Sequence, residues 1–174
     1  MDESIEDWGV GTYVIGCVVV PHFECEELRR EVQRRGPFHF NSASLASQLS
    51  MLRWIGVAAL LPAGYIYRGL YPIGREGARQ VCLVRLLRDL RDWDVEELVI
   101  ERRRSWEDTR DAVTIIHGMH AGSAPPGLCY AWRPKSEAML RLPDAVAGAI
   151  RADRRLGAYQ STLKRIGTVR RIAV

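Results

Sequence analysis

Three acidic positions stand where a carboxylate is locally odd. Glu101 closes the apolar run Leu98-Val99-Ile100, so it falls at the carboxyl end of a buried strand, the end at which open α/β sheets bind ligands. Asp144 follows Pro143 in the first turn of a helix, and Asp2, Glu3 and Ser4 begin the chain just ahead of a strand hairpin. Carboxylates from separate elements could share a metal ion, because hard cations take oxygen ligands. Each also has a structural account, as a solvated strand end, a partner of the helix dipole and a chain terminus. Spacing this long does not choose between the two readings.

Other candidates sit around them. Arg102, Arg103 and Arg104 follow Glu101, and Arg133 and Lys135 precede the last helix. If Glu101 faces a metal, strand alternation sends Arg103 to the same side, where it could meet phosphate; otherwise this is a solvated basic strand end. Asp108 and Asp111 are close to Glu101 in sequence and could approach a metal there; against that, Ser105 and Asp108 have capping-box spacing, and Asp111, a turn later, reads as a solvated helix residue. His22 with Cys25, and His117 with His120, have metal-like spacing, but they lie far apart and the second pair lacks the flanking Glu of a metalloprotease motif. Gly9-Val10-Gly11 and Gly74-Arg75-Glu76-Gly77 read as turns. No Ser occupies a G-x-S-x-G elbow, which argues against an α/β-hydrolase.

The elements that must position these residues follow from periodicity. TYVIGCVVV, 12–20, is a strand buried on both faces. A polar helix with a thin apolar stripe at Leu28 and Val32 follows over 24–35, stopped by Gly36 and Pro37. Ser42 opens a helix running towards Leu61 and closed by Pro62. Strands are expected at 65–71, 97–103 and 128–132. Helices are expected at 75–93, with Arg79, Arg85, Arg88 and Arg91 on its polar side, at 106–119, and at 142–156 with Pro143 in its first turn. After Gly157 no period is legible. Strands alternating with helices predict an α/β fold, one mixed sheet with helices on its faces.

Composition agrees with a single folded unit over 1–174. The 174 residues are 47% hydrophobic and 26% charged, enough for one core. The longest apolar runs are about half the ~20 residues a membrane helix needs, and the amino terminus is acidic where a secretory signal would be basic; a cytoplasmic protein away from membranes is expected. Four dispersed cysteines give no disulfide framework. Twenty-five basic residues against 21 acidic ones permit nucleic-acid binding without demanding it.

Asp2-Glu3-Ser4 with the strand YVIGCVVVP behind it, and the segment Leu142-Pro143-Asp144-Ala145-Val146-Ala147-Gly148-Ala149-Ile150, resemble the two ends of a family of ribonuclease H-like domains of unknown function. Its members open on Asp-Glu-Ser-Gly and finish on a helix of the pattern Ala-Asp, two hydrophobic residues, then Ala-Gly-Ala. This chain has Ile5 for the glycine, Pro143 for the alanine and Glu101 for the middle Asp. The resemblance implies a ribonuclease H-like mixed sheet flanked by helices, with Asp2, Glu3, Glu101 and Asp144 as ligands of one or two magnesium or manganese ions. Of these, Asp2, Glu101 and Asp144 would be catalytic. With only Met1 ahead of Asp2, the first strand is expected to lack part of its length. His39 aligns with a family segment near the site and, with Arg103 and Lys135, is a candidate phosphate contact. The implied activity is nucleic-acid phosphodiester hydrolysis. The alternative is a nucleic-acid or protein-binding domain that keeps the fold without catalysis.

Overall fold

The computed structural model describes residues 1–6, 11–58, 60–68, 73–156, 159, 162 and 168–172; the side chains of 2–6, 153–156 and 168–172 are not part of that description. It is a mixed α/β fold. Strand β1 (Asp2–Glu6) pairs antiparallel with β2 (Thr12–Val19), which pairs antiparallel with β3 (Leu61–Arg68), and β6 (Thr168–Ile172) adds to β3 in parallel. A second sheet is the parallel pair β4 (Glu97–Glu101) and β5 (Cys129–Arg133). The single mixed sheet expected from sequence is therefore two, joined at Met1. Its N donates to the Val99 carbonyl at 2.9 Å and its carbonyl accepts from Glu101 N at 3.3 Å. That is the slanted pattern of a parallel pair centred on Ile100.

Helix α1 (Cys25–Arg34) and α2 (Leu45–Val57) connect β2 to β3, α3 (Gly74–Asp92) and α4 (Ser105–His120) flank β4, and α5 (Arg141–Leu156) follows β5. β2 is apolar on both faces because both are covered. Tyr13, Ile15 and Cys17 enter one cluster with Leu83, Leu86, Leu87 and Ile115 of α3 and α4, while Val14 joins α1, α2 and α5 in the other. Among the described residues no helix is long and apolar enough to cross a membrane.

Several boundaries differ for physical reasons. α2 is capped by Ser44, whose hydroxyl accepts from Ser47 N at 3.3 Å, and not by Ser42. It stops at Val57. Pro62 lies inside β3, opposite Val18 of β2 and one residue before the described pairing with β6 begins, near the strand start where proline is tolerated. Gly74 opens α3 at φ 66° instead of marking an isolated turn. β1 runs for five residues from Asp2 onward, and β6 had no legible signal. The Gly9-Val10 turn and the 69–71 end of the expected third strand lie outside the described residues.

Candidate functional site

The late small-residue segment acts through packing. Gly16 and Gly64 face each other across β2 and β3. A Cβ on Gly16 would fall on the Pro143 carbonyl and 2.8 Å from Ala147 N, and one on Gly64 would fall on Ile150. The bare glycines let α5 lie directly on the sheet, with Ala145, Ala147 and Ala149 buried. Gly148 does the same for Phe40, whose ring would collide with an added Cβ. Arg141 then ties the start of α5 to α1, donating to the carbonyls of Val32 and Gly36 at 3.1 and 2.8 Å.

This packing delivers Asp144 to its partners. Its Oδ2 accepts from Phe40 N at 2.9 Å and stands 3.0 Å from His39 Nδ1, while no group among the described residues binds Oδ1. The carboxylate is 15% exposed and the His39 ring 43%. The segment carrying them is held in turn, with Gln48 Nε2 donating to the carbonyls of Phe40 and Ala43 at 2.6 and 3.1 Å and the Phe40 and Tyr159 rings 5.6 Å apart. Neither Phe40 N–H nor the three glycines were legible beforehand as parts of a site; only the bunching of small residues in 145–149 hinted at a close approach.

Glu101 is the last residue of β4. Leu98 and Ile100 enter the core beside α3 and α4, so Val99 and Glu101 alternate to the other side. The Glu101 carboxylate stands 4.0 Å from Lys135 Nζ, which is 63% exposed. Backbone register links the three expected positions. Glu101 bonds Met1, Asp2 pairs with Gly16, and Gly16 lies against Pro143, next to Asp144. The side chains of Asp2 and Glu3 lie outside the described residues. Among the described residues no group of three or more His, Cys, Asp or Glu side chains is gathered to hold a metal. His22 with Cys25 sits at the start of α1 and His117 with His120 at the end of α4, on opposite faces of the sheet.

Arg103 does not share the side of Glu101, because β4 ends at Glu101 and the chain turns into α4. Its guanidinium, 10% exposed, lies 2.8 Å from Glu76, 3.5 Å from Glu107 and 3.4 Å from Asp111. Asp111, expected in solvent, is fully buried. It binds Arg79 through both oxygens, with Nε to Oδ1 at 2.9 Å and Nη2 to Oδ2 at 2.7 Å, and Arg79 Nη1 donates to Tyr13 Oη at 3.0 Å. The sequence carried a signal: Arg79 lies three and four residues before Cys82 and Leu83, on the apolar stripe of α3, and Asp111 is four before Ile115. Ser105 does not cap α4; Glu107 accepts from Arg104 N at 3.0 Å and Asp108 from Arg103 N at 3.1 Å, so Asp108 serves the helix start.

Thiol chemistry finds little support. All four cysteines are free, burial pushes the Cys82 thiol up to about 12 and raises Cys17 as well, and a neutral buried thiol is a poor nucleophile. Compared with protein-family models, with curated proteins and with solved structures, the chain matches none.

Proposed function

We propose that this chain hydrolyses nucleic-acid phosphodiesters with magnesium or manganese on a ribonuclease H-like arrangement, with Asp2, Glu101 and Asp144 as the ligands. The observation that carries the reading is the join at Met1. It sets the end of β4 beside β1, while the paired glycines seat α5 over β2, so the three acidic positions come from elements that meet at one end of the sheet. The donors suit such an ion. Among the described residues nothing binds Asp144 Oδ1, and the Glu101 carboxylate meets a lysine at 4.0 Å; carboxylate oxygens are what hard divalent cations take.

When bound there, a divalent ion would lower the pKa of a coordinated water and offset charge on the phosphate. The chain's own part is to hold the ligands. Phe40 N–H and His39 fix Asp144 through one oxygen and leave the other outward, and the β4 pairing fixes Glu101. His39 and Lys135, both exposed, are positioned to meet phosphate oxygens.

The test is cleavage of labelled single-stranded and duplex DNA and RNA in manganese and in EDTA. The expected result is manganese-dependent cleavage, reduced at least a hundredfold by Asp144→Asn and by Glu101→Gln. If the wild-type chain cleaves none of these substrates, or Asp144→Asn cleaves as wild type does, the hydrolase reading fails, and a binding domain on the same fold takes its place.

A further inference from the structure

The corner where β4 turns into α4 sorts its charges. The acidic side chains there point inward: Glu76, Glu107 and Asp111 surround Arg103, and Asp108 accepts from the backbone of Arg103. The cations point outward. Arg102, Arg104, Arg110, Arg133 and Lys135 are all exposed, and among the described residues the one ion pair their side chains make is Lys135 with Glu101 at 4.0 Å. The nearby carboxylates of Glu76, Glu107 and Asp111 are instead engaged by Arg103 and Arg79. Two residues after Arg104, Trp106 is 47% exposed, with the Arg110 guanidinium 5.5 Å from its ring centre.

The residues are contiguous. Arg102 N donates to the Arg133 carbonyl at 2.8 Å, Arg133 pairs in register with Glu101, and Arg104 directly precedes α4, whose first turns carry Trp106 and Arg110. We propose that this corner is a track for single-stranded nucleic acid, in which Trp106 stacks an unpaired base and the surrounding arginines and Lys135 hold phosphates. A large exposed indole beside exposed cations suits a polyanion with free aromatic faces, whereas bases inside a duplex are already stacked. The track leads to Glu101. It rests on the preceding reading only in taking nucleic acid as the ligand.

The experiment is fluorescence anisotropy with the full chain in EDTA, using labelled oligo-dT and oligo-U of about 12 nucleotides, and a duplex of equal length, over a range of salt. Single strands are expected to bind at least tenfold more tightly than duplex. Trp106→Ala is expected to weaken binding about tenfold with the salt dependence unchanged, and Trp106→Phe to restore most of it. Arg104→Gln with Arg110→Gln is expected to weaken binding and to flatten the log–log salt slope by about 1.4, roughly 0.7 per lost phosphate contact on a single strand. Arg30→Gln with Arg53→Gln, on α1 and α2, should change nothing, and thermal melts of each variant verify folding. Equal binding by Trp106→Ala and wild type overturns the proposal, as does a duplex bound as tightly as the single strand. Competition by poly-glutamate equal to that by oligo-dT would also overturn it and assign the corner to an acidic protein. Binding without any cleavage in manganese removes the hydrolase reading alone; cleavage with Trp106→Ala binding normally removes the track alone.

Discussion

On the side of the sheet covered by α3 and α4, Asp111 is fully buried with both oxygens on Arg79, and Asp89, also buried, accepts from Tyr65 Oη at 2.9 Å and pairs with Arg85 at 3.3 Å. On the α5 side, among the described residues, Asp144 commits one oxygen and leaves the other without a partner, and Glu101 has a lysine at 4.0 Å. The two regions use the same side-chain chemistry for different ends. At Asp111, where both oxygens are held by one guanidinium, the charge has been converted into a clamp between elements and nothing is left for a ligand. Where the answer is partial and water reaches the group, the charge stays available. Placement of a carboxylate at a strand end or helix start does not separate the two cases; burial together with a cation held against it does.

The largest effect that would sharpen this contrast is on the buried pair. Removing one member of a buried ion pair strands the other, at a cost of about 3 to 5 kcal/mol. Asp111→Asn is therefore expected to destabilise the fold by that amount in denaturant unfolding. Replacing both partners, Arg79→Met with Asp111→Leu, is expected to recover most of the loss, because the desolvation penalty goes with the charges. A loss below about 1 kcal/mol for Asp111→Asn would show that the clamp is not what joins α3 to α4.

A smaller effect is expected where backbone meets backbone. In Gly16→Ala the new methyl meets the carbonyl of Pro143 and the amide of Ala147, atoms that cannot swing away as a side-chain tip can. Overpacking of this kind costs about 1 to 3 kcal/mol. It lifts the start of α5, so the signature is a lowered melting temperature together with a loss of whatever binding Asp144 supports. Unchanged melting would mean that α5 does not rest on the glycine pair.

Much of the α/β order was legible because both periods were clean: β2 apolar on both faces, α3 with its leucines at helical spacing. The strand end at Glu101 and the helix start at Asp144 were legible too. What the pattern hid were pairings. Arg79 and Asp111 look like surface residues one at a time and become core residues only together, since each neutralises the other. Arg103 was assigned to the side of Glu101 by extending strand alternation past the point where the strand ends. The division into two sheets depends on hydrogen bonds at Met1 that no local pattern encodes. β6 is short and, among the described strands, pairs with the distant β3, so its stability comes from that partner and not from its own composition.

The last prediction applies to Asp144 the change already made at Asp111. Asp144→Asn removes a charge from the first turn of α5, a dipole interaction worth about 0.3 to 1 kcal/mol, and keeps an oxygen that can still accept from Phe40 N–H. The group is partly solvated, so its charge has no buried partner to strand, and the stability loss should stay at or below about 1 kcal/mol, the smallest of the three. Manganese affinity should nevertheless fall steeply, because a neutral amide is a weaker ligand for a hard cation than a carboxylate. Isothermal titration with manganese, set beside unfolding of the same variant, reads both quantities. A variant that loses stability as Asp111→Asn does, with manganese affinity unchanged, would mean that Asp144 is a clamp like its counterpart across the sheet.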